Sequence, residues 1–127
     1  MLAVDTNVLV RLVARDDARQ VRLAEEFVSK GAWVSHLVLA ETLWVLDSVF
    51  ELSHDQIAMA VEMLLNHKDL SLQDADVVGF ALNHYRNHPV VEFSDCLMLE
   101  IARKAGHLPL ATFDRHVARL DDVHRLR

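Results

Sequence analysis

Four carboxylates in this 127-residue chain stand in settings that suggest chemistry more than solvation: Asp5, Glu41, Asp95 and Asp114. Asp5 interrupts the apolar opening MLAVDTNVLV, at the junction of two hydrophobic runs. Glu41 has Leu37, Val38, Trp44 and Val45 as its helical neighbours, and no Lys or Arg lies between Ser35 and Leu46 to pair with it. A lone carboxylate on such a buried stripe costs several kcal/mol of desolvation unless protonated or paired. Asp95, in FSDCLMLE, falls in the first turn of a helix whose face continues through Met98, Leu99 and Ala102, away from Glu100. Asp114 closes the segment LATFD. Each has a plain structural reading: a distant Arg for Glu41, a helix cap for Asp95, a turn residue for Asp114. As a set they point elsewhere. Two like charges about 4 Å apart repel by roughly 4 kcal/mol at an effective dielectric near 20, so four converging carboxylates need protons or cations. A ligand set of oxygens alone, without Cys or His, selects Mg²⁺, with Mn²⁺ plausible, over zinc. Such an ion keeps waters and leaves positions for a phosphate and a nucleophile. Thr6, Asn7 and Thr112 adjoin these acids as candidate supporting groups.

The remaining acids read as ordinary. Asp16, Asp17, Asp55 and Asp74 sit at helix starts, where negative charge is favourable. Glu100 shares a helix face with Arg103, Lys104 and His107 and reads as a solvated ion-pair position. His84 and His88 have the spacing of a zinc pair but lack the HExxH glutamate and a third ligand, so they read as exposed residues near a helix end before Pro89.

The elements that must position these acids follow from periodicity and punctuation. Strands are expected at 2–4, 32–35, 70–72 and 108–111, with a possible edge strand at 123–126. Helices are expected at 7–14, 16–30, 36–50, 55–67, from 74 to before Pro89, at 95–105, and briefly at 114–119. Ser53 and Gln56 form a capping-box pattern, Ser94 and Asp74 are candidate caps, and Gly106 suits a helix C-terminus. Strands alternating with helix pairs imply an α/β fold with a parallel sheet. All strand C-termini then share one edge, where open α/β sheets bind ligands. Asp5, Thr112 and Asp114 fall at that edge.

Bulk properties agree. Hydrophobic content of 52% with three Gly and two Pro indicates a helix-rich globule, expected to be a single domain over 1–127. Thirteen Lys+Arg against 19 Asp+Glu give a net charge of −6, which argues against broad coating of DNA. Two basic patches, Arg11/Arg15/Arg19/Arg22 and Arg115/Arg119/Arg125/Arg127 with His116 and His124, read most simply as solvated surface. The single cysteine, Cys96, excludes an internal disulfide and fits a reducing, cytoplasmic setting. No signal peptide is visible, and the longest apolar run, 77–82, is far too short to span a membrane. Helix 36–50 is apolar on most faces, which suggests a second packing surface and a homodimer.

Four separated segments, AVDTNVLVRL, LVLAETLWVL, FSDCLMLEIARKAG and LATFDRH, resemble the PIN-domain family, specifically the VapC-type toxins of bacterial toxin–antitoxin pairs. The resemblance spans nearly the whole chain in the expected order. It implies a three-layer PIN-like fold: a central, mostly parallel sheet of four to five short strands flanked by helices. It also implies a Mg²⁺-dependent endoribonuclease, homodimeric and held inactive by a cognate antitoxin. Residue by residue, it places the catalytic and metal-ligating acids at Asp5, Glu41, Asp95 and Asp114, with Thr112 as a polar helper. Three rivals fit less well. A phosphorelay receiver needs adjacent acids after strand one and a late Lys, whereas Asp5 is followed by Thr6-Asn7 and the fourth strand ends in ATFD. A DxDxT phosphatase needs a second Asp where Asn7 stands. A non-catalytic PIN scaffold is disfavoured by the complete acid set.

Overall fold

In a computed structural model that describes every residue from Met1 to Arg127, short strands alternate with helices in the order β1 (Leu2–Ala3), α1 (Thr6–Ala14), α2 (Ala18–Val28), β2 (Ala32–Val34), α3 (His36–Ser48), α4 (His54–Asn66), β3 (Leu70–Leu72), α5 (Ala75–Asn87), α6 (Phe93–Ala105), β4 (Leu110–Thr112) and β5 (Val123–Arg125). A single 3-10 turn, Val117–Arg119, lies between β4 and β5. The chain divides into two units, Met1–Ala75 and Asp76–Arg127.

In the first unit, β1, β2 and β3 form a parallel sheet in that order, with Leu2 opposite Ala32 and Ala32 opposite Leu70. The Val4 N–H donates to the Trp33 carbonyl at 3.1 Å, carrying the pairing one residue past β1, to the threshold of Asp5. Helix starts are set by side chains that accept orphan backbone N–H groups. Asp5 accepts from Val8 N–H at 3.4 Å, Asp17 from Gln20 N–H at 3.0 Å and Ser35 from Val38 N–H at 3.1 Å. Ser53 and Gln56 make the expected reciprocal capping box. Leu9 and Val10 on α1, Leu39 and Leu46 on α3, and Val61 and Leu64 on α4 fill the core with Ala32 and Val34. Helix α1 packs against both α2 and α3.

In the second unit, α5 buries Val77, Val78, Ala81, Leu82 and Tyr85, and α6 buries Phe93, Cys96, Leu97 and Leu99. The Tyr85 and Phe93 rings meet edge to face, 5.7 Å between centroids at 77°. β4 and β5 pair in parallel, with Leu110 opposite Val123, Ala111 opposite His124 and Thr112 opposite Arg125. All strand pairs are thus parallel, as helical crossovers require, and the five strands fall into a ladder of three and a ladder of two.

Several local expectations are corrected. Helix α6 starts at Phe93 with Glu92 at the N-cap position, so Ser94 lies inside the helix; burial of Phe93 draws the first turn back by two residues. Asp74 stands directly before α5, where a cap is expected, with a left-handed φ of 41. The expected helix at 114–119 is a side-chain-closed turn at Asp114 followed by the 3-10 turn.

Candidate functional site

In the first unit, Asp5 and Glu41 both follow strand C-termini: Asp5 comes after β1, and Glu41 lies on the helix that begins two residues past β2. The Thr6 hydroxyl donates to Glu41 Oε2 at 2.9 Å, so a supporting residue links the two segments. Asp5 offers one oxygen, Oδ1, to the N-terminus of α1, and Asn7 is exposed on the same helix. The expectation that Glu41 lies on a buried stripe is wrong. Glu41 is exposed, and its neighbours Leu37 and Trp44 are 70% and 65% exposed. The core face of α3 is instead Leu39, Thr42, Leu43 and Leu46. Glu41 therefore bears no full desolvation cost, and the apolar surface around it is presented outward.

In the second unit, Asp95 is half-buried in the first turn of α6. Burial pushes its carboxyl above the usual range, and the charges of Glu92 and Asp114 push in the same direction. Asp114 behaves in the opposite way. Its Oδ1 accepts the backbone N–H groups of Val117 at 3.0 Å and His116 at 2.7 Å, and these bonds hold its carboxyl below the usual range. Its own N–H donates to Thr112 Oγ1 at 3.0 Å. The second unit thus holds one acid whose charged form backbone bonds favour and a second whose charged form is disfavoured by burial first and by Glu92 and Asp114 after it. A cation would relieve that imbalance, and the donors are hard oxygens, as Mg²⁺ or Mn²⁺ prefers. Within neither unit do three or more His, Cys, Asp or Glu side chains gather in a metal-binding group. Cys96, next to Asp95, is fully buried, and desolvation raises its thiol to about 12, which keeps it out of the chemistry.

The face of α6 also needs correcting. Met98 is 53% exposed, whereas Glu100, expected to be solvated, is 4% exposed. The Glu100 carboxylate accepts from Arg103 Nε at 2.8 and 3.3 Å and lies 2.9 Å from His84 Nε2. His84 and His88 are accordingly half-buried and not exposed. Arg103 also reaches Asp122 at 2.6 Å, one residue before β5. A chain of polar contacts therefore runs from His84 on α5 through Glu100 and Arg103 on α6 to Asp122 before β5, the strand paired with β4. The Glu100–Arg103 spacing was visible in sequence; the depth of Glu100 and its partner on α5 were not.

A family model described as PIN domain matches residues 2–123. The chain belongs to the PIN-domain family. Membership removes the receiver and phosphatase readings. No curated protein matches the chain significantly. Among solved structures, it is similar to the crystal structure of Mycobacterium tuberculosis VapC20, a sarcin-ricin loop cleaving toxin, at 21% identity over 97% of each chain with a TM-score of 0.44. A likeness that slight says nothing of this member's activity. No helix is long and apolar enough to cross a membrane.

Proposed function

We propose that this PIN-domain member is a Mg²⁺-dependent endoribonuclease, the toxin of a toxin–antitoxin pair, with Asp5, Glu41, Asp95 and Asp114 as its metal-ligating acids and Mn²⁺ able to replace Mg²⁺. The observation that carries the reading is the PIN-domain match over residues 2–123, which includes all four acids; beside it, Asp114 Oδ1 is held by two backbone N–H groups and Asp95 is half-buried. Carboxylates left at odds with one another in a PIN chain suit a divalent cation better than a structural role.

When bound, the metal supplies charge neutralisation at the phosphate and a more acidic water as nucleophile. The chain's own groups do the positioning. The N–H groups of His116 and Val117 fix Asp114 Oδ1, and Thr112 fixes the backbone that carries it. Thr6 holds Glu41 Oε2 and leaves Oε1 available. We assign the whole chain, 1–127, to one functional domain acting in the cytoplasm. The outward apolar side chains Leu37 and Trp44 on α3 and Leu23 and Phe27 on α2 suit a homodimer contact and an antitoxin.

The test is RNA cleavage by the full chain in Mg²⁺ and in EDTA, with Asp95→Asn alongside. Cleavage that needs Mg²⁺ and is lost in the variant supports the reading. Cleavage that survives either change contradicts it. A well-folded chain that cleaves no RNA under any of these conditions fits the non-catalytic scaffold.

A further inference from the structure

The β4–β5 register sets Arg125 across from Thr112, two residues before Asp114. Thr112 pairs with Arg125, and in a parallel ladder such partners project from the same face. The pairing is fixed on the far side by Leu126 N–H, which donates to the Thr112 carbonyl at 2.7 Å. Thr112 is also the residue whose hydroxyl accepts the Asp114 N–H. One short segment thus presents a carboxylate and an arginine at the same strand end.

Their charges are not spent on each other. Asp114 satisfies Oδ1 with backbone N–H groups, and no ion pair engages Arg125. Arg119 and Arg127 are equally without an acidic partner. This is unexpected in a chain of net charge −6, where acids outnumber cations. After Asp114 the chain has four arginines and two aspartates, and Arg103 already holds one of the two, Asp122. Arg125 is exposed, so its fork stands in water with no protein group to satisfy it. An unpaired, solvated arginine at the same strand end as an acid oriented by backbone groups suits an anionic ligand that both can share. The acid would act through a cation, and the guanidinium would act directly.

Resting on the nuclease reading above, we propose that Arg125 binds an RNA backbone phosphate at the Thr112–Asp114 strand end, with a two-pronged contact to its non-bridging oxygens. The unpaired Arg119 and Arg127 extend the same basic surface for flanking phosphates. The contact reads backbone charge and carries no base preference.

The experiment uses the full chain carrying Asp95→Asn, to prevent cleavage, and a fluorescent single-stranded RNA of mixed sequence. Binding is measured in Mg²⁺ over a series of KCl concentrations. Adding Arg125→Gln should weaken binding about tenfold, the scale of one charge-assisted contact. It should also lower the slope of log K against log salt by about one. Arg125→Lys should keep the slope, because the charge remains, and recover only part of the affinity. Arg22→Gln, which removes an exposed cation from α2, should change neither. With Asp95 restored, Arg125→Gln should raise KM more than it lowers kcat.

An unchanged slope and affinity in Arg125→Gln overturn the assignment, and wild-type cleavage of RNA in the same preparation would leave the nuclease reading intact. An equal effect from Arg22→Gln overturns it too, by showing that any lost charge suffices. Failure of the parent chain to bind RNA overturns both.

Discussion

The buried carboxylate of Glu100 makes Arg103 the most consequential surface-reaching side chain of the second unit. Glu100 is 5% exposed at its side chain, and its two oxygens are occupied by Arg103 and His84. Arg103→Met keeps the aliphatic stem, removes the guanidinium and leaves a desolvated carboxylate with one imidazole. Breaking a buried pair from one side costs about 3–5 kcal/mol, because the partner's charge is stranded. Arg103 itself is 36% exposed, so water enters the vacated space and lowers the cost to about 2–3 kcal/mol. Lys104 provides the contrast. Its pair with Asp76 joins side chains 48% and 56% exposed, and Lys104→Met should cost about 0–1 kcal/mol. Urea unfolding at unchanged m value measures both. Adding Glu100→Gln to Arg103→Met should recover at least about 1 kcal/mol, since a neutral amide strands no charge. A loss below about 0.5 kcal/mol in Arg103→Met, or a double variant weaker than the single, would refute the view that Glu100 is held by charge.

Asp95→Asn should stabilise the protein in EDTA at neutral pH. The folded-state pKa of Asp95 is raised, so the folded chain holds the proton longer, and this acid costs stability as pH rises from the unfolded value through the folded one. The gain should vanish below the ordinary carboxylate range; a gain that persists there would show a cause other than ionisation. Cys96, fully buried and with its thiol raised to about 12, should resist alkylation at pH 8 until the chain is unfolded in denaturant, and rapid labelling of native protein would contradict its placement.

What could be read from sequence divides along physical lines. The Ser53–Gln56 box, strand 70–72 and the placement of Asp5 after a strand rest on local rules: cap chemistry, β-rich runs, and an acid at an apolar boundary. The face that Glu41 occupies is not legible in the sequence, because α3 is apolar nearly all round and periodicity cannot then tell which side turns inward. The depth of Glu100 is hidden for the opposite reason. Its neighbours Arg103 and Lys104 looked like a wet face, while the His84 that holds it lies 16 residues upstream on another helix. Asp95 and Asp114 were legible as candidates, but their unequal character was not. It depends on which carboxylate meets backbone N–H groups and which is desolvated.

Asp5, Glu41, Asp95 and Asp114 are proposed as metal ligands, and each should contribute to the binding of a divalent cation. Calorimetric titration of the metal-free chain with Mn²⁺ tests it most directly, with Asp5→Asn from the first unit and Asp95→Asn from the second. Each substitution should weaken binding at least about tenfold while the chain stays folded. Wild-type affinity in either variant would contradict the assignment of that acid as a metal ligand.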